Sequence, residues 1–357
     1  MNAILGIIFH AIGGVASGSF YMPYNKVKGW AWESFWIVGG LFSWLIIPPL
    51  AAYLTIPNFV GIIANSALPL LTITFLMGLL WGIGGLTYGL GVRYLGMSLG
   101  NSVVLGFCAA FGAVVPSVYY TFFPMVGKVS FTDMIAKPGG QLVLLGVLVC
   151  LIGIALSGKA GIMKEKELSK EQQAASVAEF NMVKGLIIAV ISGILSSFFN
   201  FGIEAGKPMA MVANELWKSA NPNQGEFLFQ NNVTFVVILW GGLTTNLIWT
   251  TILSLKNKSY HNFTDKTTPI VRNILFSALA GTLWFMQFFF YGMGESKLGN
   301  GASSWILHMS TIILTANMWG IYRKEWTGVA SKTKLTISAG IAVIILSVVL
   351  VGIGNSM

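Results

Sequence analysis

Residues 81–96, WGIGGLTYGLGVRYLG, return as residues 284–299, WFMQFFFYGMGESKLG. Trp81, Tyr88, Gly89, Gly91, Leu95 and Gly96 fall opposite Trp284, Tyr291, Gly292, Gly294, Leu298 and Gly299 at one constant offset. A looser echo sets Gly6, Gly14, Ser17, Phe20 and Lys28 against Gly185, Gly193, Ser196, Phe199 and Lys207. Both copies of the first motif lie in apolar segments. About 20 apolar residues suffice for a helix to cross the roughly 30 Å hydrocarbon core of a bilayer. Ten such segments can be drawn, near 2–24, 33–56, 68–90, 99–121, 139–158, 185–206, 230–255, 270–293, 299–321 and 334–354. The polar stretch 159–184 divides them five and five, predicting repeats over 1–158 and 185–357 joined by a linker. An odd number of spans per repeat turns the second copy upside down in the membrane. Inverted repeats are characteristic of secondary transporters, whose site lies near the midplane. The fold class expected is therefore an all-α integral membrane protein of ten helices in two inverted five-helix repeats.

Composition agrees. Hydrophobic residues make up 55% of the 357, charged residues 9%, and the mean hydropathy is +0.75. No ordinary soluble domain has this balance. The first basic residue is Lys26, so the N-terminal apolar run reads as a retained span rather than a cleaved signal. The net charge of +9 is not a nucleic-acid signature, because the basic residues sit in the connections. Sixteen of the 21 lysines and arginines fall in the connections after spans 1, 3, 5, 7 and 9. The positive-inside rule places those connections in the cytoplasm and both termini outside it. Cys108 and Cys150 both lie in spans, which argues against a structural disulfide, and there is no metal-ligand cluster.

Energy coupling can be narrowed by what is missing. No GxxxxGK[ST] motif is present, so ATP hydrolysis is not expected, and no HExxH or nucleophile elbow points to an enzyme. What remains is an ion gradient, and ionisable groups interrupt the apolar segments. Such groups are costly in hydrocarbon and mark pathways or binding sites. His10 and His308 fall mid-span; a histidine can titrate near neutral pH or bond a hydroxyl. Glu33 stands at the cytoplasmic start of span 2, where it either pairs with Lys26 or Lys28 or carries a proton. Trp284, Gln287 and Tyr291 share one helical face, two aromatics around an amide, and Trp305 with His308 forms a similar pair. Aromatic faces with a few convergent polar groups suit a sugar. Arg93 and Lys207 read as interfacial anchors or gates. Glu204 lies one turn before Lys207, either as its ion-pair partner or as part of an outer proton path. Pro48-Pro49 and Pro116 are expected to kink spans 2 and 4.

At these residues the chain resembles the L-rhamnose–proton symporter family, within the drug/metabolite transporter superfamily. The resemblance runs end to end. It is carried by YMPYNKVKGWAWES (21–34), WGIG (81–84), YGLGVRYLGMS (88–98), KPM (207–209), QFFFY (287–291) and WILHM (305–309). It implies ten helices, an inner-membrane location, and proton-driven uptake of L-rhamnose with no cofactor beyond the transported proton. Glu33, Arg93, Lys207, Gln287 and His308 stand in family-like stretches; Glu204 and Glu295 do not. The site expected is Gln287, His308 and Trp284 for the sugar, Tyr291 and Trp305 lining it, and Glu33, His308 and His10 for the proton. Expected partners are L-rhamnose or a related sugar such as L-lyxose, a proton and the lipid bilayer, with no obligate protein partner. The competing readings are an exporter of amphipathic metabolites or drugs and a membrane sugar sensor that moves nothing.

Overall fold

The structure, a computed structural model, describes the chain apart from Met1, Phe123, residues 125–129, Lys170, residues 172–179, Glu226 and residues 299–300. The side chains of residues 2–3, 109, 113, 115–116, 119, 298, 301–306 and 355–356 are likewise outside the description. Pro116, the Trp305 side chain and the middle of the 159–184 linker therefore lie outside the described residues.

Among the described residues the regular structure is entirely helical. In chain order the helices are α1 (Asn2–Ser19), α2 (Tyr21–Tyr24), α3 (Trp32–Gly40), α4 (Ile47–Thr55), α5 (Phe59–Ala64), α6 (Leu68–Leu95), α7 (Met97–Phe122) and α8 (Phe131–Ala136). They continue as α9 (Pro138–Glu167), α10 (Met182–Ser196), α11 (Phe198–Ala220), α12 (Asn232–Asn257), α13 (Ile270–Leu298), α14 (Gly301–Tyr322) and α15 (Ser331–Ser356). Eight stretches are long and apolar enough to cross a membrane: Ile4–Tyr24, Trp32–Thr55, Leu68–Leu95, Pro138–Glu167, Met182–Ala220, Asn232–Asn257, Ile270–Lys297 and Ser331–Gly354. The segment expected at 99–121 lies within α7, and the described part of that expected at 299–321 lies within α14.

The chain divides into two compact units, each drawing on both halves of the sequence. The first comprises Met1–Ile83 and Phe198–Gly299, the second Gly84–Ser197 and Asn300–Met357. Helix α6 thus contributes to both.

In the first unit α1 lies along α13, and α3 packs on α12 and α13. Close approach is bought with glycine: a Cβ on Gly82 of α6 would stand 2.8 Å from the Gly242 Cα of α12. Between α3 and α4 the helix widens into a π turn, Leu41–Ile46, and the Ile47 N–H reaches back to the Phe42 carbonyl. Pro48 and Pro49 explain it. Neither has an N–H to return to the carbonyls of Trp44 and Leu45, and their rings crowd those carbonyls. The proline pair thus produces the expected break in span 2. π turns often lie at functional sites, and this one carries Ser43 and Trp44.

In the second unit α9 and α15 form the most extensive pairing. Gly139, Gly146 and Gly153 recur every seven residues on α9; Gly340, Ser347 and Gly354 do so on α15. A Cβ on Gly139 would come 2.6 Å from the Gly354 carbonyl oxygen. On Gly146 it would come 3.0 Å from that of Ser347, and on Gly153 3.0 Å from that of Gly340. The pairs advance along one helix as they retreat along the other, so the helices are antiparallel. In lipid there is little hydrophobic drive between helices, and small residues that let backbones touch supply the association instead. A seven-residue period keeps them on one seam.

Candidate functional site

In the first unit, Gln287 of α13 faces Ser17 of α1, whose hydroxyl donates to the Gln287 Oε1 at 2.8 Å. Both side chains are buried. Ser17 is the one hydrogen-bond partner of Gln287 among the described residues, which leaves the two amide N–H donors for a ligand. One turn before it, Trp284 sits edge-on to Phe20, their centroids 4.1 Å apart, and 6.3 Å from Trp36. Trp36 continues the aromatic wall to Trp44 of the π turn, at 6.4 Å, and stacks on Trp32 at 4.9 Å.

Trp36 is held in place. Its indole N–H donates to the Asn246 Oδ1 at 2.8 Å, and the Asn246 amide donates to the carbonyls of Gly82 and Gly242. Asn246 is fully buried, and every one of these bonds is internal to the first unit. By contrast, the Trp44 indole N–H and the Ser43 hydroxyl are buried without a partner among the described residues. A buried polar group without a partner is unusual in a native fold. Here two of them lie where the helix is broken.

One turn beyond Gln287, Tyr291 meets His10 edge-on, with ring centroids 5.4 Å apart. His10 is fully buried. Gly294 makes room for it, because a Cβ there would stand 2.5 Å from His10 Nε2. Next along α13 is the half-buried Glu295, which accepts from the Asn231 amide at 3.4 Å and lies within electrostatic reach of Glu204 and Lys207 on α11. His10 and Ser17 are seven residues apart on α1, as Gln287 and Glu295 are eight apart on α13. Polar groups therefore line this pair of helices from Glu295 to Gln287.

Glu33, in the first turn of α3, is buried and accepts from the Ser259 hydroxyl at 2.6 Å and the Asn257 amide at 3.0 Å. The neighbouring Ala31 N–H and Ser34 hydroxyl both donate to the Asn262 Oδ1. The connection between α12 and α13 is thereby laced onto the start of α3.

The remaining expected residues belong to the second unit. His308 on α14 is buried, and Arg93 closes α6. A polar network lies near the start of α7: the Ser98 hydroxyl bonds Asn317 Oδ1, the Asn317 amide donates to Ser102 Oγ at 3.1 Å, and the Tyr88 hydroxyl bonds Asn101. Beside it, Glu325 accepts the backbone N–H groups of Met97 and Ser98 at 3.1 and 3.2 Å, an N-terminal anchor that suits a carboxylate. Lys164 answers it electrostatically and lies over the rings of Trp326, at 4.9 Å, and Phe180, at 5.3 Å. Lys164 is 1% exposed and Glu325 2%.

Of the expected residues, Gln287, Trp284, Tyr291, His10, Glu33 and Lys207 lie in the first unit, and His308 and Arg93 in the second. The sequence did not point to Trp36, Trp44, Asn246, Lys164 or Glu325, and marked Ser17 only as a repeat position. Asn246 had a usable signal, an amide within an apolar span. Lys164 and Glu325 had none, because both read as ordinary connection charges. No group of His, Cys, Asp and Glu among the described residues could hold a metal ion.

Comparison with known proteins bears on the whole of this arrangement. The family model described as L-rhamnose-proton symport protein matches residues 1–357. An L-rhamnose-proton symporter of Yersinia pestis (strain Pestoides F) is 38% identical over 356 residues, covering 98% of each chain. One of Yersinia pseudotuberculosis (serotype O:1b, strain IP 31758) is similar to the same extent over the same coverage. A match along the full length leaves no part of the chain outside the alignment that defines the group, and the chain belongs to the L-rhamnose-proton symport protein family.

Proposed function

We propose that this chain is a secondary transporter of the inner membrane that imports L-rhamnose, and related sugars such as L-lyxose, together with a proton. The full-length family match is the observation that carries this reading. The first unit supplies chemistry that suits it: an amide with two open donors, Gln287, beside an aromatic wall of Trp284, Phe20 and Trp36. Hydroxyls of the sugar take the amide donors, and its C–H face and deoxy methyl group rest on the rings. Tyr291 lines the same helix face.

The proton is assigned to His10 and Glu33 in this unit and to His308 in the other. Trp305 and His308 are further sugar contacts, and Arg93 and Lys207 gates. Protonation of Glu33 removes a buried charge, which lowers the cost of closing over the sugar. The chain spans the bilayer ten times as two inverted repeats, with both termini outside the cytoplasm, and needs no obligate protein partner. The membrane lipid is its only standing environment. Uptake of labelled L-rhamnose into vesicles containing the purified chain tests the reading. Accumulation under an imposed inward proton gradient, and only equilibration without it, is the expected result. Accumulation that ignores the gradient would overturn it.

A further inference from the structure

A groove of about 560 Å³ runs over the second unit between α14 and α15. Its apolar wall is Leu314 and Ile321 of α14 and Ile337, Ile341 and Ile345 of α15, Ser98 and Asn317 also line it, and Lys324 and Lys334 stand at one end. From Lys334 to Ile345 is eleven residues of helix, or about 16 Å at roughly 1.5 Å per residue. That is about half of the roughly 30 Å hydrocarbon core, the depth of one leaflet. The groove therefore has the length of one acyl chain and a cationic end where a headgroup would lie.

The charge at that end is not cancelled locally. Lys324 and Lys334 line it, and Arg323 and Lys332 lie close to them in the sequence. The nearby Glu325 is buried and engaged by α7 and Lys164. The other neighbouring carboxylate, Glu167, is occupied by the Ala330 N–H and the Thr333 hydroxyl at the start of α15. Trp326 lines the same end, and its indole N–H has no acceptor among the described residues.

We propose that this groove seats one anionic phospholipid, with its phosphate between Lys324 and Lys334 and one acyl chain along α15. Basic pockets between membrane helices are recognised seats for such headgroups.

The test is native mass spectrometry of the purified full chain titrated with phosphatidylglycerol or phosphatidylcholine. A second groove of about 610 Å³ also ends in two lysines, Lys159 and Lys166, so the readout is the loss of one bound lipid rather than of all. The wild-type chain should retain phosphatidylglycerol in preference to phosphatidylcholine. Lys324→Gln with Lys334→Gln should weaken one site by about 25-fold, each lysine contributing its usual share near an anionic headgroup. Ala342→Trp keeps every charge but fills the groove from an exposed position, and should remove the same lipid. Lys332→Gln, beside the groove but not lining it, should change nothing. Equal retention of the two lipids, or full phosphatidylglycerol occupancy in either the double variant or Ala342→Trp, would overturn the proposal.

Discussion

Gln287→Leu is the substitution that asks most of the candidate site. Leucine keeps the volume and removes both amide donors along with the oxygen that accepts from Ser17. Two lost hydrogen bonds to the sugar, at about 0.5–1.5 kcal/mol each, amount to roughly 1–3 kcal/mol, or a KM raised roughly 5- to 140-fold. The same change strands the buried Ser17 hydroxyl, which costs about 1–3 kcal/mol of stability and confuses the reading. Ser17→Ala in the Gln287→Leu background removes that stranded donor. The double variant should recover part of the thermal stability of the single one and none of its sugar affinity. The assay is L-rhamnose uptake across a range of concentrations, paired with a melting measurement. If Gln287→Leu transports with an unchanged KM, the amide does not meet the sugar. If Ser17→Ala restores the KM, the residue acts through packing alone.

Three further outcomes follow from the same geometry. Gly340→Leu drives a side chain into the α9 backbone, since even a Cβ would stand 2.8 Å from the Ser157 nitrogen; overpacking of this kind costs typically 1–3 kcal/mol, and Tm should fall, while the same change at the exposed Ala339 should leave it unmoved. Glu325→Gln keeps an acceptor for the Met97 and Ser98 N–H groups but removes the charge that acts on Lys164, so Lys164→Met and Glu325→Gln should couple in a double-variant cycle read by Tm; a strictly additive result would show that they do not. Glu33→Gln keeps the shape that receives Ser259 and Asn257 but cannot ionise, so uptake down a sugar gradient should persist while accumulation against one is lost; unchanged accumulation removes Glu33 from the coupling scheme.

Much of the helical architecture was legible because apolar runs of membrane-spanning length have few other meanings. The break in span 2 was legible too, since Pro48-Pro49 removes two backbone donors whatever surrounds it. The grouping of helices was not. Each compact unit takes residues from both halves of the chain, and apolar segments carry no mark of which neighbour they choose. The seven-residue spacing of Gly139, Gly146 and Gly153 is visible in the sequence, yet only the structure pairs it with Gly340, Ser347 and Gly354. Among the candidate residues, Gln287 and Trp284 stood out because an amide between aromatics is conspicuous in a span. Trp36 did not, because a tryptophan near a span end usually reads as part of an interfacial belt. Lys164 and Glu325 were hidden by the same logic: charges near span ends are expected in water, and nothing local says that tertiary structure buries these two.

L-rhamnose and a proton are expected to move together through this chain. L-rhamnose added to lightly buffered, de-energised vesicles containing the protein, with external pH recorded, tests it most directly. Alkalinisation of the medium that requires L-rhamnose, fails with glucose and collapses with a protonophore is the predicted result. Sugar binding by calorimetry with no change in external pH would contradict it, and would make the protein a uniporter, a sensor or a carrier coupled to another ion.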